Sequence, residues 1–167
     1  MTGKILIAYT TRMGSTAEIA QAIARALTAA GKSAEVAELK AVTTLAGYSA
    51  VVIGSPVYLA KVEKDVASFV AGHREALLKM PVAAFAVGIA PVDPRVGSVE
   101  DILGKLRAAL DPVKPVAVTV FAGRLDLSRM SFLQRTLTGA MKVLTGDFRD
   151  WDAIEKWAKE LSAFLPM

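Results

Sequence analysis

Residues 4–16 read KILIAYTTRMGST, an apolar run that passes through a hydroxyl-rich turn into a helix. Ile5, Leu6, Ile7 and Ala8 are continuously apolar, the pattern of a parallel strand covered on both faces. Beyond the turn, Ala17, Ile19, Ala20, Ala22, Ile23, Ala24 and Leu27 recur at helical spacing. Thr10, Thr11, Ser15 and Thr16 stand between the two, together with Arg12, Met13 and Gly14. Hydroxyls and backbone N–H groups therefore converge at a helix N-terminus. The first turn has unpaired donors and the aligned peptide dipoles favour negative charge, so this is an anion site.

What the turn lacks narrows the anion. No Lys follows the glycine, which removes the GxxxxGK[ST] cradle for nucleoside triphosphates and its Mg²⁺. Gly14 stands alone, so the GxGxxG approach to a pyrophosphate is missing as well. Neutral hydroxyls with one glycine suit a single terminal phosphate. Ser and Thr more commonly serve as helix caps. Four hydroxyls within seven positions, however, exceed what one cap requires.

The run Tyr9-Thr10-Thr11-Arg12-Met13-Gly14-Ser15-Thr16 resembles the phosphate-loop signature of flavodoxin-like proteins. The resemblance implies FMN as cofactor and an α/β fold, a doubly wound five-stranded parallel sheet in the order 2-1-3-4-5 with helices on both faces. Thr11, Gly14, Ser15 and Thr16 match the family's phosphate-binding positions, and Thr10 belongs to the same loop. Arg12 and Met13 stand where ordinary flavodoxins carry further Thr, and a guanidinium there could offset the charge of the phosphate. The variant T-R-x-G-x-T resembles the subgroup that includes the menaquinone-dependent protoporphyrinogen IX dehydrogenases. The phrase AGRLDLSRMSF followed by GDFRDWDAIEKWA resembles that subgroup's C-terminal half, so the likeness covers nearly the whole chain.

The rest of the chain reads in order. Residues 34–39 alternate as a second strand, and AVVIG at 50–54 is a third, buried one. Ser55, Pro56, Val57 and Tyr58 then leave its carboxyl end. Ligands of doubly wound sheets sit outside the carboxyl ends of strands, so this loop faces the first. By the resemblance it is the first flavin-flanking loop, with Tyr58 placed to lay its ring against the cofactor, although aromatic residues more often pack on the next helix. Residues 62–78 predict one helix, which contains His73, the only histidine, away from the strand ends. A fourth strand spans 82–89. The loop after it, with Gly88, Ile89 and Ala90, resembles the second flavin-flanking loop but lacks its usual aromatic. Ser98 caps a helix to residue 110, and 116–122 is the fifth strand. This alternation predicts a parallel five-stranded sheet with helices on both faces.

Residues 123–145 are an extra basic amphipathic segment, with Leu133, Leu137, Ala140, Met141 and Leu144 at helical spacing beside Arg129, Arg135 and Lys142. Such a helix lies on an anionic membrane or partner, or simply packs its apolar stripe on the sheet. Asp150 caps a last helix at 151–165, whose apolar face is Trp151, Ile154, Trp157, Ala158 and Leu161.

The 167 residues suit one domain with one sizeable core. With 53% hydrophobic and 22% charged residues the chain is expected to fold. No Cys is present, which excludes disulfides, thiol catalysis and Fe–S sites. No signal peptide is expected, and no apolar run approaches the roughly 20 residues that span a bilayer. These features predict a cytoplasmic protein, with peripheral contact at the inner face of the membrane suggested by a net charge of +4. That charge departs from the acidic surface usual in flavodoxins and favours acidic partners, though no nucleic acid is expected.

A response-regulator receiver would need acids where Tyr9-Thr10 and Gly54-Ser55 stand, and a serine hydrolase would need GxSxG with a reachable His. Three readings remain. The first is an FMN protein carrying electrons to or from a redox protein partner. The second is an FMN-dependent oxidoreductase of the protoporphyrinogen IX dehydrogenase type passing electrons to a quinone. The third is a flavodoxin-like binding module without FMN. No acid–base pair, metal cluster or nucleophile stands out, which suits chemistry carried by a flavin.

Overall fold

The computed structural model describes residues 3–12, 14–58, 60–93, 95, 97–125, 136 and 146–166. Met13 and most of the 123–145 segment lie outside the described residues. The elements run β1 Lys4–Tyr9, α1 Ser15–Ala29, β2 Ala34–Glu38, a 3₁₀ turn at Leu39–Ala41, β3 Tyr48–Tyr58, β4 Lys61–Val62, α2 Lys64–Gly72 and α3 Arg74–Leu77. They continue with β5 Val82–Gly88, α4 Val99–Leu110, β6 Ala117–Ala122, β7 Arg124–Leu125, β8 Gly146–Asp147 and, last, α5 Trp151–Ser162.

Five strands form one parallel sheet in the order β2-β1-β3-β5-β6, with β4 folded back antiparallel on β3. Counting the five long strands alone, this is the expected order 2-1-3-4-5. Each central strand sends alternate side chains to opposite layers. Ile5, Ile7, Val52, Phe85 and Val87 meet Ile19, Ile23 and Leu27 of α1 and Ile154, Ala158 and Leu161 of α5. Leu6, Ala8, Val51, Ile53, Ala84 and Ala86 meet Val66, Phe69 and Val70 of α2 and Ile102, Leu106 and Leu110 of α4. Both faces of β1, β3 and β5 are thus covered, as their unbroken apolar runs require. Gly54 leaves room for a ring of this core, since a Cβ there would stand 2.2 Å from Phe85 Cζ.

Three elements differ from the sequence expectation. Residues 55–58 are strand, not loop. Pairing with β1 ends at Tyr9 and Gly54, but β3 runs on against β5 to Pro56 and Val87. It then turns into a hairpin in which Val57 faces Val62 and Tyr58 faces Lys61. Pro56 is tolerated because one edge of β3 has lost its partner there. Ala60 takes φ 59, the left-handed geometry of a tight hairpin turn. The helix expected over 62–78 is two helices, broken where Gly72, a poor helix former, is followed by His73 at φ −122. The His73 ring packs against Phe69 with centroids 4.6 Å apart. Trp151 leaves the expected apolar face: at the first position of α5 it is 43% exposed, with the Arg149 guanidinium 4.7 Å from its ring. Asp150 and Ser98 cap their helices as expected, accepting from Ala153 N–H at 3.0 Å and Asp101 N–H at 3.0 Å.

Arg149 fastens the start of α5 to α1. Its guanidinium holds Asp147 through two bonds of 2.9 and 2.7 Å and pairs with Glu18 on α1, while its side chain is only 8% exposed. Hydrogen bonding from Arg149 pulls the Asp147 carboxyl down to about 2. A depressed folded value stabilises above the unfolded carboxylate value, ~3.9, and that contribution is lost as pH falls toward 2. Asp147→Asn should therefore lower stability at neutral pH. The gap between mutant and wild type in urea unfolding should stay constant down to pH ~4 and close between ~4 and ~2.

Candidate functional site

At the carboxyl end of β1 the chain makes the turn that opens α1. The N-cap is Gly14 at φ 87, so no side chain caps the helix and the first-turn donors open onto the loop. The left-handed φ explains the lone glycine of the motif. Gly14 N–H donates to Thr11 Oγ1 at 2.9 Å, which braces the loop from inside. Ser15 and Thr16 are buried in the first turn, 7% and 1% exposed. Ser15 Oγ accepts from Arg124 N–H at 3.3 Å, tying the turn to the start of β7. Neither Ser15 nor Thr16 is the N-cap, so the capping explanation of these hydroxyls does not apply to them.

Two loop residues are engaged elsewhere. The Thr10 hydroxyl donates to Asp65 Oδ2 at 3.3 Å, and its N–H donates to the Gly54 carbonyl at 3.0 Å. Thr10 therefore ties β1 to β3 and α2. Arg12 pairs through Nε with Glu63 and lays its guanidinium 4.6 Å from the centroid of the Tyr58 ring. Its positive charge is met by a carboxylate within the protein, which weakens the expectation that it offsets a phosphate.

The second and third stretches lie at the carboxyl ends of β3 and β5. Pro56, Val57 and Tyr58 end β3, all partly buried. Gly88 closes β5 against Val57: a Cβ on Gly88 would stand 3.2 Å from Val57 Cβ. Ile89 follows, its carbonyl accepting from Val92 N–H at 2.9 Å and Asp93 N–H at 2.7 Å, and Ala90 is buried beneath that turn. Gly123, just past β6, completes the arrangement. A Cβ there would come within 2.7 Å of Val87 Cγ1 and 3.2 Å of Ser15 Oγ, so only glycine lets the chain leaving β6 approach the end of β5 and the start of α1. The described residues expected from the three stretches thus lie at the carboxyl end of the sheet. A cleft of 730 Å³ between residues 43–46 and the α2–α3 region lies at the strands' opposite end, away from all of them.

Sequence reasoning missed Glu63, Asp65, Glu18, Arg124 and Gly123. Glu63 and Asp65 stood inside a predicted helix with nothing to mark them. Gly123 directly after a strand was the one legible signal. Glu18 matters most for the electrostatics. It is the acid in the first turn of α1 and would repel an anion there, yet it is paired with Arg149 and lies 3.8 Å from Arg124 Nη2. The helix N-terminus thus keeps its positive character.

The family model described as "Flavodoxin domain" matches residues 6–152. The chain belongs to the flavodoxin family. No curated protein sequence matches it. Among solved structures, oxidised flavodoxin 1 from Bacillus cereus superposes with a TM-score of 0.65 at 14% identity, over 98% of this chain and 99% of that one. A cysteine-to-alanine mutant of the flavodoxin from Pseudomonas aeruginosa gives 0.58 at 17% identity, over 97% and 98%. A flavodoxin from Streptococcus pneumonia TIGR4 gives 0.57 at 17%, over 96% and 99%. At these identities the likeness is one of fold. Membership of the flavodoxin family indicates FMN as the cofactor. The residues of this flavodoxin fit it: an uncapped helix N-terminus, buried hydroxyls and a neutralised first-turn acid suit a phosphate monoester.

Gly14 should be the least replaceable residue of the loop. Alanine at φ 87 costs about 1–2 kcal/mol. Gly14→Ala is expected to lower unfolding free energy by about that amount in urea denaturation of the apoprotein.

Proposed function

We propose that this protein is an FMN-binding electron carrier of the flavodoxin type. The observation that carries the reading is the α1 N-terminus: Gly14 leaves it uncapped, Thr11 braces it, and Arg149 and Arg124 offset its one acid. In this reading the first-turn N–H groups and the hydroxyls of Thr11, Ser15 and Thr16 hold the phosphate. Tyr58, with Pro56 and Val57, walls one side of the ring end, and the backbone of Gly88, Ile89 and Ala90 lines the other. Bound there, FMN supplies one- and two-electron redox chemistry that no side chain of the site offers. The chain's part is to orient the cofactor and to exclude water along the sheet edge.

A second reading, an oxidoreductase of the protoporphyrinogen IX dehydrogenase type using a quinone, is supported by T-R-x-G-x-T and by the C-terminal phrases. Two residues carrying that resemblance meet in space, with Arg124 N–H donating to Ser15 Oγ at 3.3 Å. The basic residues of 123–145 favour an acidic redox partner or an anionic membrane surface as the meeting place. Among the described residues no helix is long and apolar enough to cross a membrane.

Titration of apoprotein with FMN should quench flavin fluorescence at one equivalent and give yellow protein, with FAD bound more weakly and NAD not at all. Thr16→Ala should cost about 1.5–3 kcal/mol of FMN affinity through loss of a bond to a charged group. Colourless protein that FMN cannot convert overturns the proposal. Turnover of protoporphyrinogen with a quinone by FMN-loaded protein decides between carrier and enzyme.

A further inference from the structure

Arg12 joins two loops that are distant in sequence. Its guanidinium lies 4.6 Å from the centroid of the Tyr58 ring, and its Nε donates to Glu63. The backbone of Glu63 is itself anchored, because its N–H donates to Ser55 Oγ at 3.1 Å, and Ser55 is wholly buried. Tyr58 ends the hairpin opposite Lys61. The two side chains beside the guanidinium therefore both come from the β3–β4 hairpin and the entry to α2, while Arg12 comes from the turn after β1. A planar guanidinium matches an aromatic face, and a carboxylate partner keeps it there.

Two roles are open to such an arginine. As a counterion it would add attraction at the phosphate end. Glu63 meets that charge, and the Arg12 side chain, 41% exposed, is further screened by solvent. As a brace it would act at the ring end, and here the geometry is complete without a ligand. We propose that Arg12 is a positioning residue for Tyr58: it holds the tyrosine ring in one orientation on the hairpin and so presets the aromatic wall of the cofactor site. This rests on the reading that the site binds FMN. Arg12 acts through Tyr58, and its effect belongs to the isoalloxazine end of the ligand.

Riboflavin separates the two roles, since it carries the same ring system and no phosphate. Apoprotein is titrated with FMN and with riboflavin by flavin fluorescence. Arg12→Gln should weaken both by the same factor, about two- to fivefold for loss of one exposed cation–π contact. Arg12→Lys, which keeps the charge but not the planar stack, should also weaken both. In a Tyr58→Ala background, Arg12→Gln should have no further effect on either flavin. Loss confined to FMN would make Arg12 a phosphate counterion and overturn the inference. So would unchanged affinities in both arginine variants, or an Arg12→Gln effect that persists without the Tyr58 ring. Circular dichroism of each apoprotein checks folding, and if the glutamine variant is unfolded the lysine variant carries the comparison. Wild-type protein that binds neither flavin removes the proposed function and this inference with it. Wild-type binding that is indifferent to Arg12 removes the inference alone.

Discussion

The double burial of β1, β3 and β5 is the constraint on which the rest of the molecule depends. Ile5 to Ala8, Ala50 to Ile53 and Ala83 to Ala86 are wholly buried, with their side chains committed to one helical layer or the other. Their backbone groups are spent on neighbouring strands. Nothing along the strands remains to meet a ligand. Along these three strands free donors appear only near the strand ends, and in a parallel sheet the carboxyl ends lie on one side. There β1 releases the chain into α1, whose first-turn N–H groups are the unpaired donors the sheet cannot supply. Gly88 and Gly123 matter for the same reason: without side chains, the ends of β5 and β6 close in on Val57, Val87 and Ser15.

The legible part of this architecture was the part written in local pattern. Unbroken apolar runs announced the central strands, Ser98 and Asp150 announced their helices, and a hydroxyl-rich turn with one glycine announced the start of α1. The sequence misled where a local signal was overruled by a distant partner. Residues 55–58 read as a loop leaving the third strand, yet β5 holds Pro56 in the sheet at Val87. Trp151 read as core, yet a cation in the preceding turn draws it to the surface. Contacts were least legible where the residues stand far apart. Arg12 meets Glu63 across 51 positions, Thr10 meets Asp65 across 55, and Arg124 meets Ser15 across 109. Arg12 shows the consequence most plainly. Alone in a neutral loop it reads as a free positive charge, and only the fold supplies the carboxylate and the ring that engage it.

Those distant contacts share a logic of charge. Three of the described acids close to the loop are matched by bases: Glu63 by Arg12, Asp65 by Lys40 at 3.7 Å, and Glu18 by Arg149 with Arg124 nearby. An unmatched carboxylate a few ångströms from a phosphate would oppose it by roughly 1–4 kcal/mol at the effective dielectrics of surface and partly buried sites. The pairing cancels that opposition without adding a net cation to the loop. What remains to attract an anion is the field of the helix end and its directed N–H groups, which act over one turn. An attraction of such short range is felt by a group seated in the turn and hardly at all by charges beyond it. An anion seated in such a turn is therefore held by the local geometry of the helix end, and the net charge of +4 carried by the chain as a whole adds little to that hold.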